Sequence, residues 1–238
     1  MKFVLDTHTH SITSGHAYST IQEMAEAAKN KGLQLMALTD HAPKLPGTCH
    51  IYHFWNLKVI PRVINGVEIL RGAEVNILDE EGNIDLEDDI LERLDLVIAS
   101  LHDACIEPGT REANTRALIG AMSNKYIHII GHPGNPRYPI DVDHLVRAAK
   151  EKNVLIEVNN SSFHVREGSK DNCTAIALKA KELGCRVVVG SDAHISYDVG
   201  KFDTVLEMFR KIDMPEELVM NTSVEKLKNF LAEKGKKI

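Results

Sequence analysis

The chain opens with Met1-Lys2-Phe3-Val4-Leu5-Asp6-Thr7-His8-Thr9-His10, a short apolar run that leads directly into two histidines one residue apart. In an extended strand, side chains at positions i and i+2 lie on the same face. His8 and His10 can therefore approach one ion from the end of a first strand. This stretch decides the fold because its arrangement, an apolar run followed by a histidine or a carboxylate, recurs along the chain.

Strand-like and helix-like segments alternate almost to the end of the sequence. Near-continuous apolar runs, such as 94–99 and 186–189, are typical of strands that are covered on both faces in a parallel sheet. Thr20 and Glu23 predict a capping box before the first helix, and Gly32 follows its end. The predicted strands are 2–7, 34–39, 67–73, 94–100, 126–131, 154–159 and 186–190.

Helical spacing of apolar residues recurs within 142–149, 173–180 and 202–209, and a last helix is predicted from about residue 223 to 234. Seven β/α alternations without a linker predict a single α/β domain over 1–238, folded as a distorted (β/α)7 barrel. Within it, 223–238 is predicted to form a C-terminal helix and a frayed, lysine-rich tail.

Composition limits the classes of partner. With 238 residues and a formal charge of −6, the chain has no general attraction for nucleic acid or an anionic membrane. No apolar run approaches the ~20 residues needed to span a bilayer. The first residues lack a signal-peptide pattern, so a cytoplasmic location is expected. A homo-oligomer is plausible, although no interface is evident in the sequence.

Nine histidines and carboxylates follow the predicted strands at or just past their ends. In a parallel barrel these strand ends gather at the C-terminal face, where such barrels hold their chemistry. Residues far apart in sequence would thus meet in one pocket. The predicted metal ligands are His8, His10, His16, His41, Glu74, His102, His132, Asp192 and His194.

Nine ligands are too many for one tetrahedral zinc ion. Three ions, with Glu74 bridging two of them, use the set economically. Neutral imidazole and carboxylate suit zinc, manganese or iron and discriminate poorly among them. Three divalent ions bring six positive charges against two carboxylates, so the residual charge calls for anions such as a bridging hydroxide and a phosphate ester.

Other polar residues near these motifs have less specific signals. Asp40 and Asp6 each lie beside a predicted ligand and could orient a histidine, or could only cap a strand-end turn. Arg137, on a proline-rich loop, could bind phosphate, and Arg166 is a second candidate for this role. The alternative for both arginines is a solvated position on the surface. Of the other histidines, His128, His144 and His164 are expected to lie outside the site. On the loop 42–53, His50, Tyr52 and His53 could form a lid or contact substrate, or could only pack within the loop.

The motif series resembles that of the PHP (polymerase and histidinol phosphatase) superfamily. The resemblance rests on His8-Thr9-His10, Thr39-Asp40-His41, Glu74, His102, His132-Pro133 and Gly190-Ser191-Asp192-Ala193-His194. The stretches 16–20, 132–136 and 159–163 are similar to the YcdX-type phosphatase branch. The resemblance implies a distorted seven-stranded barrel, a trinuclear centre that is usually zinc, and hydrolysis of phosphate esters.

Carried over by position, the resemblance also implies which residues share an ion. The first ion would be held by His8, His10, Glu74 and Asp192; the second by His16, His41 and His194; the third by Glu74, His102 and His132. The expected substrate is a small-molecule phosphate monoester, attacked by a hydroxide that bridges two ions. Asp40 and Arg137 are the predicted residues for orientation and phosphate contact.

Three other functions remain open at the level of sequence. A phosphodiesterase or nuclease is possible because the superfamily also serves polymerases, but the charge of −6 and the lack of a basic-aromatic stripe count against it. A non-catalytic metal-binding regulatory module would bind metal without turnover. Deacylation of the amidohydrolase type, on a similar barrel, is the third.

Overall fold

A computed structural model describes residues 1–238. Eight strands are present, and each of the seven predicted strands overlaps one of them. The short β3, which packs antiparallel on the edge of β4, was not predicted. The strands are β1 Leu5–Thr9, β2 Leu35–Leu38, β3 Val63–Ile64, β4 Val67–Asn76, β5 Leu96–Ser100, β6 Ile129–Ile130, β7 Leu155–Glu157 and β8 Val187–Val188.

Seven of these strands form one parallel series in the order β1-β2-β4-β5-β6-β7-β8. Glu74 of β4 pairs with Ile98 of β5, which sets the register at the centre of the series. The two ends meet through a single parallel bridge between Thr9 and Ala193 rather than through a ladder. The predicted class, a distorted (β/α)7 barrel in a single α/β domain, is confirmed.

Nine helices cover the sheet: α1 Ile21–Asn30, α2 Tyr52–Asn56, α3 Asp88–Leu91, α4 Arg111–Ala121, α5 Val142–Glu151, α6 Ser162–Val165, α7 Ser169–Leu183, α8 Asp203–Lys211 and α9 Val224–Glu233. The capping box at α1 is present, because Thr20 accepts from the Glu23 amide and Glu23 accepts from the Thr20 amide. Asp141 caps α5 by accepting from the His144 amide.

The apolar side chains form two clusters on opposite faces of the strands. Within β2, Leu35 and Ala37 belong to a smaller cluster, whereas Met36 and Leu38 belong to the larger one beneath the outer helices. This alternation is what a strand covered on both faces requires.

Helix α9 covers the amino-terminal end of the barrel. Its Leu227, Phe230 and Leu231 are buried in the smaller cluster, and each such side chain contributes about 1.5–3 kcal/mol. Beyond the helix, Lys236 Nζ donates to the carbonyls of Leu91 and Glu92. The opposite end of the barrel is left free for chemistry. None of the helices has both the length and the apolar character needed to cross a bilayer.

Candidate metal centre

The nine predicted ligands all lie at the carboxyl end of the barrel. Three belong to strands or follow one directly: His8 in β1, His10 directly after β1 and Glu74 in β4. The others stand on the loops that follow β1, β2, β5, β6 and β8: His16, His41, His102, His132, Asp192 and His194. The parallel order of the strands therefore brings together residues that are up to 186 positions apart in sequence.

Glu74 lies at the centre of this cluster and is fully buried. Its Oε2 lies 3.2 Å from His8 Nε2 and 2.8 Å from His41 Nδ1. Its Oε1 lies 2.9 Å from His132 Nε2 and 3.4 Å from His102 Nε2. The two oxygens thus face two different groups of histidines, which is the arrangement that a carboxylate bridging two ions needs.

Four buried polar atoms in the cluster have no hydrogen-bond partner: Nε2 of His8, Nε2 of His10, Nδ1 of His41 and Oε2 of Glu74. The three nitrogens lie 3.2, 3.5 and 2.8 Å from Glu74 Oε2, respectively, but are not aligned with it for hydrogen bonding. A buried polar atom without a partner costs about 1–3 kcal/mol. A cation would satisfy all four at once, so the residues present fit a metal ion.

The outer part of the cluster contains Asp192, His194 and His16. Asp192 Oδ1 lies 3.3 Å from His10 Nε2, and His194 Nε2 lies 3.0 Å from His16 Nε2. Three compact sets of ligand atoms result: His8-His10-Glu74, His10-His41-His194 and His41-Glu74-His102. Each differs by at least one member from the predicted division among three ions, so that division stays a prediction.

Burial and neighbouring charges determine which of the predicted ligands are protonated. Burial lowers the pKa of His10 well below its ordinary value, and the neighbouring His41 lowers it further. Burial, followed by the charge of Arg166, lowers the pKa of His132 to about 4. Both rings are therefore neutral at neutral pH, which is the form that binds metal.

The innermost ligands behave differently because carboxylates surround His8. Burial alone would lower the pKa of His8, but Glu157 and Glu74 raise it well above its ordinary value. Burial would likewise raise the pKa of Glu74, yet the charge of His8 and of His41 holds it well below its ordinary range. Glu74 is therefore ionised, and a cation that binds here displaces a proton from His8.

Two residues that hold the ligands were missed by the sequence analysis. Glu157 of β7 is buried; its Oε1 lies 2.7 Å from His8 Nδ1, and its Oε2 accepts from the His132 amide at 2.7 Å. Asn76 Oδ1 lies 2.7 Å from His102 Nδ1. Each accepts from the ring nitrogen that faces away from the cluster, which fixes the tautomer of a ligand. The available signal was a carboxylate inside the apolar run 154–158.

Gly190 must be a glycine because it lies against the Glu157 side chain. A Cβ at Gly190 would lie 2.1 Å from Glu157 Oε1 and 2.5 Å from the Cβ of His8. Any larger residue at this position would therefore separate Glu157 from His8.

Two of the predicted ligands have left-handed backbone, with φ of 30° at His132 and 56° at Asp192. Non-glycine residues adopt this region rarely, and such strain concentrates at functional sites. Here the conformation lets a residue just past a short strand turn back over the end of the barrel.

The carboxylates that neighbour ligands in sequence act on the backbone. Asp40 accepts from the Ser11 amide at 2.7 Å and from Ser14 Oγ at 2.7 Å. Ser14 Oγ lies 3.3 Å from His10 Nδ1, so Asp40 reaches that ligand through one hydroxyl. Asp6 accepts from the Ser191 amide at 3.1 Å and does not touch a ligand ring.

The two candidate arginines differ in position. Arg137 is 61% exposed in its side chain and pairs with Asp103. Arg166 is 20% exposed, and its Nη2 lies 3.4 Å from Asp192 Oδ2. Arg166 lines the cavity above the cluster, of about 550 Å³, whereas Arg137 is absent from that lining. The cavity therefore offers one guanidinium, from Arg166.

The histidines that were expected to lie elsewhere are outside the cluster. His128 is buried at the start of β6, where its Nδ1 accepts from the Val97 amide. His144 is exposed on α5, and His164 contacts Thr204. His53, of the predicted lid segment, lies 3.4 Å from Asp40 Oδ2, and His50 packs edge-on against Tyr52.

Comparison with known proteins agrees with this geometry. A family model described as the PHP domain matches residues 6–161, and one described as PHP-associated matches 172–223. The chain is 60% identical over 240 residues to a probable phosphatase of Caldanaerobacter subterraneus subsp. tengcongensis, covering 100% of this chain and 94% of that protein. A probable phosphatase of Thermoanaerobacter sp. (strain X514) is 58% identical, with coverage of 100% and 98%.

A solved structure has the same fold at low identity. The histidinol phosphate phosphatase of Lactococcus lactis subsp. lactis, complexed with zinc, L-histidinol and phosphate, aligns over 89% of this chain and 94% of that one, with 17% identity and a TM-score of 0.65. The motif series, the barrel and the matched family models lead to one assignment: the chain belongs to the PHP-domain family.

Proposed function

We propose that this chain is a metal-dependent phosphatase that hydrolyses small-molecule phosphate monoesters with a trinuclear, zinc-type centre held by the nine predicted ligands. The observation that carries the proposal is the placement of the two carboxylate oxygens of Glu74, which face two different groups of histidines. Three histidine nitrogens beside this carboxylate also have no hydrogen-bond partner. Full-length relatives named probable phosphatases support a phosphoester hydrolase.

Bound ions at this cluster would supply an activated water and would offset the negative charge of phosphate. The chain's own contribution is orientation. Glu157 holds His8 and His132, Asn76 holds His102, and Asp40 holds His10 through Ser14. Side chains fixed in this way do not need to reorganise when the reaction begins, which is the main source of electrostatic stabilisation in such sites.

Arg166 is the residue best placed to orient the phosphate. Its guanidinium lines the cavity, with Nη1 2.8 Å from Ser162 Oγ, so its position is fixed before substrate arrives. A guanidinium can bind two phosphate oxygens at once. The cavity's size of about 550 Å³ suits a small ester.

The test pairs metal content with turnover. Purified protein should contain near three equivalents of zinc, manganese or iron and hydrolyse an aryl phosphate monoester, with activity lost to a chelator and restored by metal. The matched diester should be hydrolysed far more slowly. The variant His132→Gln should lose metal and activity, whereas His144→Gln, an exposed histidine on α5, should keep both.

Each other outcome favours a different function. Faster diester hydrolysis would replace the monoesterase with a phosphodiesterase. Metal binding without turnover of either ester would favour a regulatory module. Less than one equivalent of metal, with no recovery on adding it, would refute the proposal.

A further inference from the structure

The barrel has a seam between β1 and β8 that no backbone ladder closes. Direct backbone hydrogen bonds cross it around the bridge at Thr9 and Ala193, where His10 donates to Ala193 and Asp192 donates to His8, and on the loops beyond, where Tyr18 donates to His194. Every other neighbouring pair in the parallel series is joined by a parallel ladder, and the ladder between β1 and β2 has a register shift between Asp6 and Thr9. Below the site, the seam is filled by the segment 219–221, in which Val219 makes a parallel bridge to Val187 of β8.

Asn221 fills the lower part of this seam. It is fully buried in a short turn after α8. Its Nδ2 donates to Leu5 O at 3.1 Å and to Val189 O at 2.7 Å, and its Oδ1 accepts from the Val189 amide at 2.7 Å. Its backbone carbonyl accepts from the Val4 amide at 2.9 Å. Asn221 thus joins β8 to the start of β1 through three side-chain hydrogen bonds and one backbone hydrogen bond.

The seam separates predicted ligands that must act together. His8 and His10 stand on the β1 side, and Asp192 and His194 stand on the β8 side. His10 Nε2 lies 3.3 Å from Asp192 Oδ1 across the seam. Glu74 belongs to β4, and His102 and His132 stand on the loops after β5 and β6, on the other side of the barrel.

We propose that Asn221 is a positioning residue for the metal centre: by locking β1 to β8, it sets the affinity of the ions held across the seam and leaves the ion at Glu74, His102 and His132 largely unaffected. This inference rests on the proposed function, because it takes the nine residues to be ligands. Asn221 itself touches none of them.

The variant Asn221→Ala removes three hydrogen bonds and leaves the strands free to separate. Asn114→Ala is the matched control, because Asn114 is also buried and makes three side-chain bonds, to Gly109 and Pro139, away from the seam. Metal content is measured after dialysis against graded concentrations of a chelator. We expect Asn221→Ala to lose two of three equivalents at a chelator concentration at least about tenfold lower than wild type, and to keep the third.

Asn114→Ala should lower thermal stability without this selective loss. If Asn221→Ala loses all three equivalents together, or retains all three, the inference is overturned while the proposed function stays intact. A wild-type protein with less than one equivalent would instead refute the proposed function, and the inference with it.

Hydrogen exchange on wild type keeps the inference testable if Asn221→Ala does not fold. Coupling between two sites is reciprocal, so metal that depends on the seam must also stabilise the seam. Adding zinc to the metal-free protein should slow exchange of the Val4 and Val189 amides more than that of the Leu155 amide, which bonds His128 O between β6 and β7. Equal slowing would overturn the inference.

Discussion

Replacing Glu157 by glutamine tests whether the ligands are held by a residue outside the predicted set. Glutamine preserves the volume of the side chain but changes one oxygen into an amide nitrogen. In the wild type, one oxygen faces His8 Nδ1 at 2.7 Å and the other accepts from the His132 amide at 2.7 Å. The Glu157→Gln amide can satisfy only one of these two partners.

Both orientations of the new amide damage the site. If its nitrogen faces the His132 amide, two donors oppose each other, and the backbone of a ligand that already has φ of 30° is released. If its nitrogen faces His8 Nδ1, that atom must accept, and the proton moves to Nε2. His8 Nε2 is one of the unpartnered atoms aimed at the cluster, so His8 then loses the lone pair that binds metal.

Loss of a residue that orients a ligand costs about 10–100-fold in metal affinity, or about 1.4–2.7 kcal/mol. We expect a drop of that size for Glu157→Gln in competition with a coloured chelator, accompanied by a fall in kcat that added zinc partly restores. Glu68→Gln, at the start of β4 beside Lys228, is the control and should bind metal like wild type. An unchanged affinity for Glu157→Gln would refute the reasoning that Glu157 fixes His8.

Three further predictions follow from single contacts. Gly190→Ala should lower metal affinity about as much as Glu157→Gln, because the new Cβ would lie 2.1 Å from Glu157 Oε1; a chelator titration checks this, and full affinity would contradict it. Arg166→Lys should raise KM for a phosphate monoester about tenfold in steady-state kinetics, whereas Arg137→Lys, outside the cavity lining, should leave KM near that of wild type; the reverse order would favour Arg137 as the phosphate contact. Burial, followed by the charges of Lys236 and Lys234, holds the pKa of His128 well below 6.5. Below about pH 6.5 the unfolded chain therefore binds a proton at His128 that the folded chain does not bind, and stability is lost as the pH falls. The advantage of wild type over His128→Asn in free energy of unfolding should therefore shrink by about 1.4 kcal/mol per pH unit below about 6; parallel denaturation curves would refute this.

The sequence predicted the elements well where a local pattern is specific. Apolar runs of strand length predicted seven parallel strands, and the capping pair Thr20 and Glu23 marked the start of α1, which the structure contains. The edge strand β3 escaped prediction because two residues, Val63 and Ile64, are too few to show a period. Its pairing with β4 depends on the tertiary structure.

In the candidate site, too, some features follow from local sequence patterns and others only from the tertiary structure. A histidine or carboxylate at or just past an apolar run predicts a strand-end ligand, and the structure brings all nine predicted residues to one end of the barrel. Glu157 and Asn76 carry no such signal, because their role depends on which ring nitrogen they meet across the barrel. Arg137 and Arg166 could not be distinguished in sequence, since both stand on polar loops and only the fold places one of them in the cavity.

The sequence by itself determined the alternation of strands and helices, the residues available to bind metal and the family, because each of these depends on neighbours within a few positions. Only the tertiary structure decided how those residues are held. The two oxygens of Glu74 face different histidines because β4 lies between β2 and β5, and Asn221 joins β1 to β8 because a turn more than 200 residues from β1 returns to the seam. Such contacts depend on how strands close into a barrel, a long-range property that no local pattern in the chain records.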